Sequence, residues 1–537
     1  MLRWRINFIL INFLLLGAVL ISQLFYLQII KGDFYKALAQ GLFGVSQDQR
    51  IKERGEIFFR NGEALAVNIT WPLIFASPIE VKEKEITAEK LASILSLNKE
   101  DILEKLKKDN FYEVIKKRIT PEERQKIQEL NLKGIYWGEE KGRYYPQEDF
   151  ASQLVGFVDT EGQGQYGLES YYNEILYNER TQKNQNIVLT VDYAIQFQAE
   201  KLLKEAKEKL NIESGEIVVV DPKTGEILAL ANFPNFNPNK YSLVTDFDIF
   251  KNSVTQKLFE PGSMFKTITM AAALEEGKIT PETTYIDNGF VKVGGWTIYN
   301  YGKKTWGERT MTQVLEYSIN TGAIFAEQKL GHNNFLKYFD KFGFSKPTNV
   351  DLPEIYSENK EFKKGYEVNF VTASFGQGIE ITPLQLITAY TVLANNGKLV
   401  RPFIVKKIIS NDEIKEIKPE TTDELIISPK TANQVTAMLV SVVKNGSAKL
   451  TQIPGYYIAG KTGTAQISWS ALGIEKKGYS EKTWQSFIGF APAFNPRFLI
   501  LVKLTNPETK SSEYSAVPIF KELAKYLIDY WQIPPDY

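Results

Sequence analysis

Ser263 follows Pro261-Gly262 directly, and Lys266 comes three residues later, as an apolar run begins in LFEPGSMFKTITM. On a helix, positions three apart share a face, so hydroxyl and amine can meet. A helix start adds unpaired N–H groups and a positive dipole end, both favouring developing negative charge. The pair reads either as a nucleophile beside its base or as a capping serine with an incidental lysine. Spacing alone does not decide, because Ser96, Ser357 and Ser441 also have lysine at the third following place. Ser96 and Ser441 lie in or near helical patterns, and Ser357 lies in the charged loop Ser357-Glu-Asn-Lys360. What distinguishes Ser263 is the turn forced by Glu260-Pro-Gly262, which predicts a helix starting at the serine itself.

Two other clusters have matching chemistry. Ser318-Ile-Asn320 lies inside TMTQVLEYSINTGAIFAEQKLG, whose pattern predicts one helix over 310–331 with the two polar groups at its middle. A buried serine and asparagine need polar partners, and here they could supply a proton relay and an amide that orients substrate. Lys461-Thr462-Gly463-Thr464 follows the strand-like YYIAG. At a sheet edge, Lys461 would attract a carboxylate, Thr462 and Thr464 would hydrogen-bond it, and Gly463 would let a substrate backbone approach. The same Lys-Thr-Gly triplet at 223–225 is explained by a hairpin turn.

Brought together, the three clusters make an acyl-transfer site. Ser263 is the nucleophile, and Lys266 must lose its proton to act as base. A second cation nearby, Lys461, is one way to lower a lysine pKa. Backbone N–H groups of Ser263 and Thr464 would form the oxyanion hole, where one donor is worth roughly 3–4 kcal/mol of barrier. Scarcity narrows the rivals. With no cysteine and one histidine among 537 residues, thiolate catalysis, disulfides and multi-histidine metal sites are excluded. His332, in Gly331-His332-Asn333-Asn334, reads as a surface residue. Lys+Arg and Asp+Glu balance at 64 each, which gives no bulk charge for nucleic acid. The composition, 43% hydrophobic and 24% charged, is that of a folded protein of several domains.

The elements that must position these residues follow from periodicity. Ile6 to Ile30 contains no Asp, Glu, Lys or Arg. As a helix it spans about 37 Å at ~1.5 Å per residue, enough for a bilayer core of ~30 Å. It reads as an uncleaved anchor; Arg3 and Arg5 favour a cytoplasmic N-terminus, against the opposing vote of Lys31 and Lys36. Residues 32–185 are mixed and charged, with a Lys/Glu-rich helical stretch at 87–130 whose polar run reads as a solvated face, and a polar linker at 178–186. Beyond it, LTVDYAIQFQAEKLLKEAKEKL predicts an amphipathic helix capped by Asp192, and residues 215–231 predict a hairpin. Thr382-Pro383 to Asn396-Gly397 and Ser428-Pro429 to Asn445-Gly446 carry both helix-end signals. Strands are predicted at Tyr456–Ala459, Trp484–Phe490 and Phe498–Leu504, and a closing helix at 516–531. The class is α+β, an antiparallel sheet covered by helices. The domains are 1–31, 32–185 and 186–537.

With these motifs in order, the sequence resembles the class B penicillin-binding proteins, the monofunctional transpeptidases of bacterial wall synthesis. GEIVVVDPKTGEILALANFPNFNPN, LFEPGSMFK, SFGQGIEITPLQLITAYTVLANNGKLVRP, IAGKTGTAQ and SFIGFAPAFNPR carry the resemblance. Upstream, Arg54-Gly55, Arg60-Asn61-Gly62, Leu65-Ala66 and Gly164-Gln-Tyr-Gly167-Leu-Glu169, after Arg143-Tyr-Tyr-Pro146, resemble the family's pedestal motifs. Phe59 departs from the aspartate usual before that arginine. The resemblance implies an elongated pedestal and a β-lactamase-like transpeptidase domain. It implies a substrate, a stem peptide ending in D-Ala-D-Ala that acylates Ser263, with Ser318 passing a proton to the leaving amine. It further implies β-lactams as covalent inhibitors, no metal or organic cofactor, a single membrane span with the catalytic domain outside, and a membrane glycosyltransferase and divisome proteins as partners. A septal, division-type role is the expectation. An elongation-type role, a β-lactam sensor or hydrolase, and a non-catalytic scaffold are the alternatives.

Overall fold

The computed structural model of the chain describes residues 2–32, 35, 54–177, 184–410 and 413–537. Lys36 and most of the linker expected at 178–186 lie outside the described residues. Helix Leu2–Phe25 continues into a π-helical turn at Tyr26–Ile30. Among the described residues this is the one stretch long and apolar enough to cross a membrane, and none of it is buried against protein.

The rest forms two compact units that interleave along the chain, the smaller including Asn68–Tyr144 and Thr160–Gly162. There the end of strand Ala64–Ala76 pairs antiparallel with Glu113–Lys117, Leu73 opposite Lys117, and strand Ile135–Tyr144 joins the same sheet. Helices Lys84–Leu95, Lys99–Lys107 and Pro121–Glu129 bury Leu91, Leu95, Ile102, Leu106 and Ile127 with Ile74 and Ile115. Their lysines and glutamates keep to the outer face, as the charge pattern requires. Thr120 closes a capping box with Glu123 ahead of Pro121.

The larger unit takes in Arg54–Val67, Tyr145–Asp159 and Gln163–Tyr537. Arg54 gives Nε to Glu169 Oε2 at 3.0 Å and Nη1 to Asn173 Oδ1 at 2.9 Å, so two of the upstream motifs meet as a buried ion pair. Phe59 is fully buried, with its ring 5.7 Å from Phe150 and 5.4 Å from Tyr193. It has exchanged a carboxylate's place for an aromatic cluster, while its neighbour Arg60 pairs with Glu226 at 3.0 Å.

The core sheet has five strands: β1 (Ser214–Val220), β2 (Ile227–Phe233), β3 (Ala459–Ser468), β4 (Tyr479–Ala491) and β5 (Phe498–Thr505). Their order is β3-β4-β5-β1-β2, antiparallel throughout. The helices are α1 (Tyr193–Leu210), α2 (Lys266–Glu275), α3 (Met311–Glu316), α4 (Asn320–Leu330), α5 (Pro383–Ala394), α6 (Pro429–Asn445) and α7 (Ala516–Tyr530). Helices α1 and α7 pack on the sheet and on each other, as do α5 and α6. Strand β5 is therefore buried along nearly its whole length, an apolar run rather than an alternating one. Helix α2 is buried from Lys266 to Leu274, held by α3, α4 and α6.

Three elements differ from expectation, the first being the helical stretch expected over 87–130, which strand Glu113–Lys117 interrupts by pairing with Leu73–Ala76. Strand β3 starts at Ala459, so the Lys-Thr-Gly triplet lies inside the strand and not after it. The helix expected over 310–331 is two helices, α3 and α4, broken at residues 317–319, where Ser318 has φ +56°.

Candidate active site

The serine turn is built by close backbone contact. Gly262 has φ +56°, the left-handed region that glycine enters at little cost. Its N–H donates to Gly376 O at 3.0 Å, and a Cβ on Gly376 would lie 2.2 Å from Gly262 O. Only glycine at 376 lets the two loops touch. Phe259 and Ile381 exchange backbone hydrogen bonds of 2.9 and 3.1 Å just upstream. Residues 262–264 form a 3₁₀ turn, and the α-helix begins at Lys266, not at Ser263. The serine makes no cap bond. The tighter turn brings positions three apart closer still to eclipse, and Lys266 Nζ lies 3.0 Å from Ser263 Oγ.

Around Lys266 the second cluster closes in. Its Nζ donates to Ser318 O at 2.6 Å and to Asn320 Oδ1 at 2.7 Å, with Ser318 Oγ at 3.3 Å. The break between α3 and α4 makes this possible. In a continuous helix the Ser318 carbonyl would be spent within the helix; here it points at the lysine. Asn320 Nδ2 donates to Tyr299 O at 3.0 Å, which fixes its amide with the oxygen toward Lys266.

Strand β3 supplies the third cluster from the edge of the sheet. Lys461 Nζ lies 3.0 Å from Ser318 Oγ, 3.2 Å from Thr462 O and 3.3 Å from Thr462 Oγ1. Thr462 Oγ1 is 3.1 Å from Ser447 Oγ, and Thr464 Oγ1 is 3.1 Å from Ser512 Oγ. Gly463 differs from expectation: a Cβ there would meet Ser486 Oγ at 2.7 Å and Met264 Cε at 3.1 Å. Its bareness seats the strand against the residue after Ser263, so the space on that side is filled by protein.

Both lysine side chains are sealed, with Lys266 and Lys461 each 0% exposed. Burial, and then the positive Lys461 beside it, hold the Lys266 amine well below the ordinary lysine range. Burial alone brings Lys461 down to about 7. A neutral amine has two hydrogens and one lone pair. Ser318 O and Asn320 Oδ1 are obligate acceptors and take both hydrogens, which leaves the lone pair for the Ser263 hydroxyl. That arrangement can remove a proton from Ser263, and Ser318 Oγ bridges the two amines as a relay.

All eight residues expected at the site are thus gathered, Ser263, Lys266, Ser318, Asn320, Lys461, Thr462, Gly463 and Thr464. Sequence reading missed several supports. Tyr390, fully buried in α5, donates its hydroxyl to Met264 O at 2.7 Å. A lone tyrosine in an apolar helix was the available signal, since a buried phenol needs a partner. Glu260 accepts from Gly378 N and Tyr479 Oη, each at 3.1 Å, and burial pushes its carboxyl up to about 7. His332 is not a bare surface residue: its Nδ1 pairs with the buried Glu327 at 2.7 Å, and its ring stacks on Phe370. It starts the helix His332–Lys341, apart from both α2 and strand β3, and joins none of the hydrogen bonds given for the two lysines.

Comparison with known proteins decides the family. Residues 215–525 match the penicillin binding protein transpeptidase domain, and residues 51–190 match the penicillin-binding protein dimerisation domain. The chain belongs to the penicillin-binding protein transpeptidase family. Among curated relatives, Stage V sporulation protein D of Bacillus subtilis is 31% identical over 536 residues, 94% of this chain and 82% of that protein. Peptidoglycan D,D-transpeptidase FtsI of Buchnera aphidicola is 29% identical over 571 residues, 98% of this chain and 96% of its own. Among solved penicillin-binding structures, penicillin binding protein 3 of Mycobacterium tuberculosis complexed with aztreonam superposes with a TM-score of 0.70 at 26% identity. That match covers 91% of this chain and 98% of the other.

Proposed function

We propose that the chain is a peptidoglycan D,D-transpeptidase that cross-links wall stem peptides through an acyl-enzyme on Ser263. The observation that carries this reading is the donor pattern at Lys266, whose two hydrogens are committed to carbonyl oxygens while its remaining valence faces Ser263 Oγ. Lys266 takes the hydroxyl proton as Oγ bonds to the penultimate D-Ala carbonyl carbon. Backbone N–H groups of Ser263 and Thr464 receive the oxyanion. Collapse breaks the carbon–nitrogen bond, and Ser318 delivers the proton to the departing D-Ala amine. An amine of a second stem peptide then attacks the ester, its proton returns by the same route, and Ser263 Oγ leaves reprotonated. Lys461, Thr462 and Thr464 hold the terminal carboxylate, Asn320 orients the donor peptide, and the bareness of Gly463 seats strand β3 against Met264 beside the nucleophile. β-Lactams copy that donor and stop at the first ester.

The domain plan is an anchor at 1–31, a pedestal at 32–185 and the transpeptidase domain at 186–537, supported by the two family matches. The N-terminus lies in the cytoplasm and the catalytic domain outside. The relative named FtsI supports a septal role beside a membrane glycosyltransferase and divisome proteins. The relative named for sporulation supports a second setting for the same chemistry. A fluorescent fusion gathering at midcell is the expected outcome; uniform side-wall signal argues for elongation.

The decisive test uses a labelled penicillin on the full chain in detergent. One lasting adduct per chain is expected, and none with Ser263→Ala at unchanged thermal unfolding. Adduct that turns over within seconds would identify a hydrolase, and labelling of Ser263→Ala would move the nucleophile elsewhere.

A further inference from the structure

Asp287 ends the strand Thr284–Asp287, is 1% exposed, and takes part in no chemical step above. Its carboxylate is filled entirely by neutral donors. Oδ1 accepts from Gly289 N at 2.9 Å, Asn300 Nδ2 at 3.0 Å and Thr321 Oγ1 at 2.6 Å. Oδ2 accepts from Asn300 Nδ2 at 2.9 Å and Trp306 N at 2.7 Å. Asn300, 4% exposed, turns its own Oδ1 to Thr321 N at 3.1 Å. Thr321 is therefore gripped at both backbone and side chain, and it is the residue after Asn320. Asn300 is likewise the residue after Tyr299, whose carbonyl holds Asn320 Nδ2. The carboxylate thus clamps both halves of the contact that decides which way the Asn320 amide faces.

We propose that Asp287, acting through Asn300 and Thr321, is a positioning residue that sets the Asn320 amide and so aims the lone pair of Lys266 at Ser263. The inference rests on the Ser263–Lys266 reading above. If the Asn320 amide turns over, its –NH₂ faces the lysine, competes with the serine hydroxyl for the lone pair, and withdraws an acceptor that favours the ammonium. The charged group facing Lys266 is Lys461, from strand β3. It is untouched by changes at 287, 300 or 321.

The test measures acylation of the full chain by a labelled penicillin against pH, with Thr321→Val, Thr321→Ser and Asp287→Asn beside the wild type. Thr321→Val removes one hydroxyl at constant shape and needs no refolding of the hairpins. Asp287→Asn replaces one acceptor oxygen by a donor where only donors face it. Both should slow the acylation step by roughly tenfold to a hundredfold, the scale of a small misplacement at a reacting centre. Capture of the terminal carboxylate by Lys461, Thr462 and Thr464 should hold. The base works when neutral, so the acid limb of the rate profile marks the Lys266 pKa. Losing an acceptor that favours the ammonium lowers that pKa, and the limb moves to lower pH. A purely structural lesion would reduce the amount of active protein and leave the limb in place. Thr321→Ser keeps the hydroxyl and should restore rate and profile. Wild-type rate and limb in both Thr321→Val and Asp287→Asn, or loss of amplitude without a moved limb, would overturn the inference alone. A wild type that takes no label would overturn the functional reading, and this one with it.

Discussion

The core sheet buries two lysines in different company. Lys503 on β5 stands opposite Glu216 on β1 in register, 3.0 Å from its carboxylate. Its ammonium also lies over the rings of Phe259 and Trp484, at 5.3 and 5.8 Å. Lys461 on β3 is at least as buried, yet its neighbours are hydroxyls, a carbonyl and a second lysine. Among the described residues no carboxylate lies within ion-pair distance of Lys461 or Lys266. Folding has answered the charge of Lys503 from within. It has left the other two amines with depressed basicity, one able to take a proton and one able to hold a carboxylate brought from outside. Burial is common to both places, and the absence of a counter-ion is what turns it into chemistry.

The contrast can be broken from either side. Lys266→Met keeps the volume and removes the base, so penicillin acylation should fall by about 10²- to 10⁴-fold with little change in unfolding temperature. A comparable loss of stability instead would make Lys266 a structural residue like Lys503. Glu216→Gln should do the reverse. It strands the Lys503 ammonium and costs about 3–5 kcal/mol in denaturant unfolding, while the folded fraction still acylates at the wild-type rate. Adding Lys503→Met should recover most of that loss. Lys461→Met comes last, weakening capture of carboxylate-bearing β-lactams by about 1.5–3 kcal/mol, a tenfold to roughly hundredfold effect. It also carries a sign. The positive Lys461 holds the Lys266 pKa down, so removing it lets that pKa rise, and the acid limb of the acylation profile moves to higher pH. In the wild type the carboxylate needs the charged form of Lys461, so affinity should decline as pH rises through about 7. A bound carboxylate draws that pKa upward, so binding near neutrality should take up a proton, measurable in weakly buffered solution.

How much of this was legible in the chain depended on where each cause lies. Helices whose ends carry their own chemistry read correctly to within a residue or two. Thr382 and Ser428 accept from Gln385 N and Thr431 N as their spacing required, and Asp192 caps α1. The two Lys-Thr-Gly triplets separated for a local reason as well, since Asp221 takes N–H groups of Lys223 and Thr224 into a turn that 461–463 lacks. The break at Ser318 was illegible because nothing nearby imposes it. Apolar periodicity runs on through Ile319, and the carbonyl is claimed by a lysine 52 residues away. Gly463 was misjudged for the same reason, since the atoms that need its bareness belong to Met264 and Ser486. Phe59 marks the limit of reading by family pattern. The substitution stood out in the sequence, but only packing shows the aromatic cluster that absorbs it.

Strand β3 ends the core sheet, and among the described residues no other strand pairs with its outer side. Such a margin offers main-chain donors and acceptors at a fixed spacing, which grip a visitor by its backbone. Any extended peptide can be read there by its backbone alone. On the reading proposed above, discrimination is then concentrated at the visitor's last residue, which Lys461 and two threonine hydroxyls would receive. Tolerance along the body of the donor and strictness at its tip are two faces of one geometry.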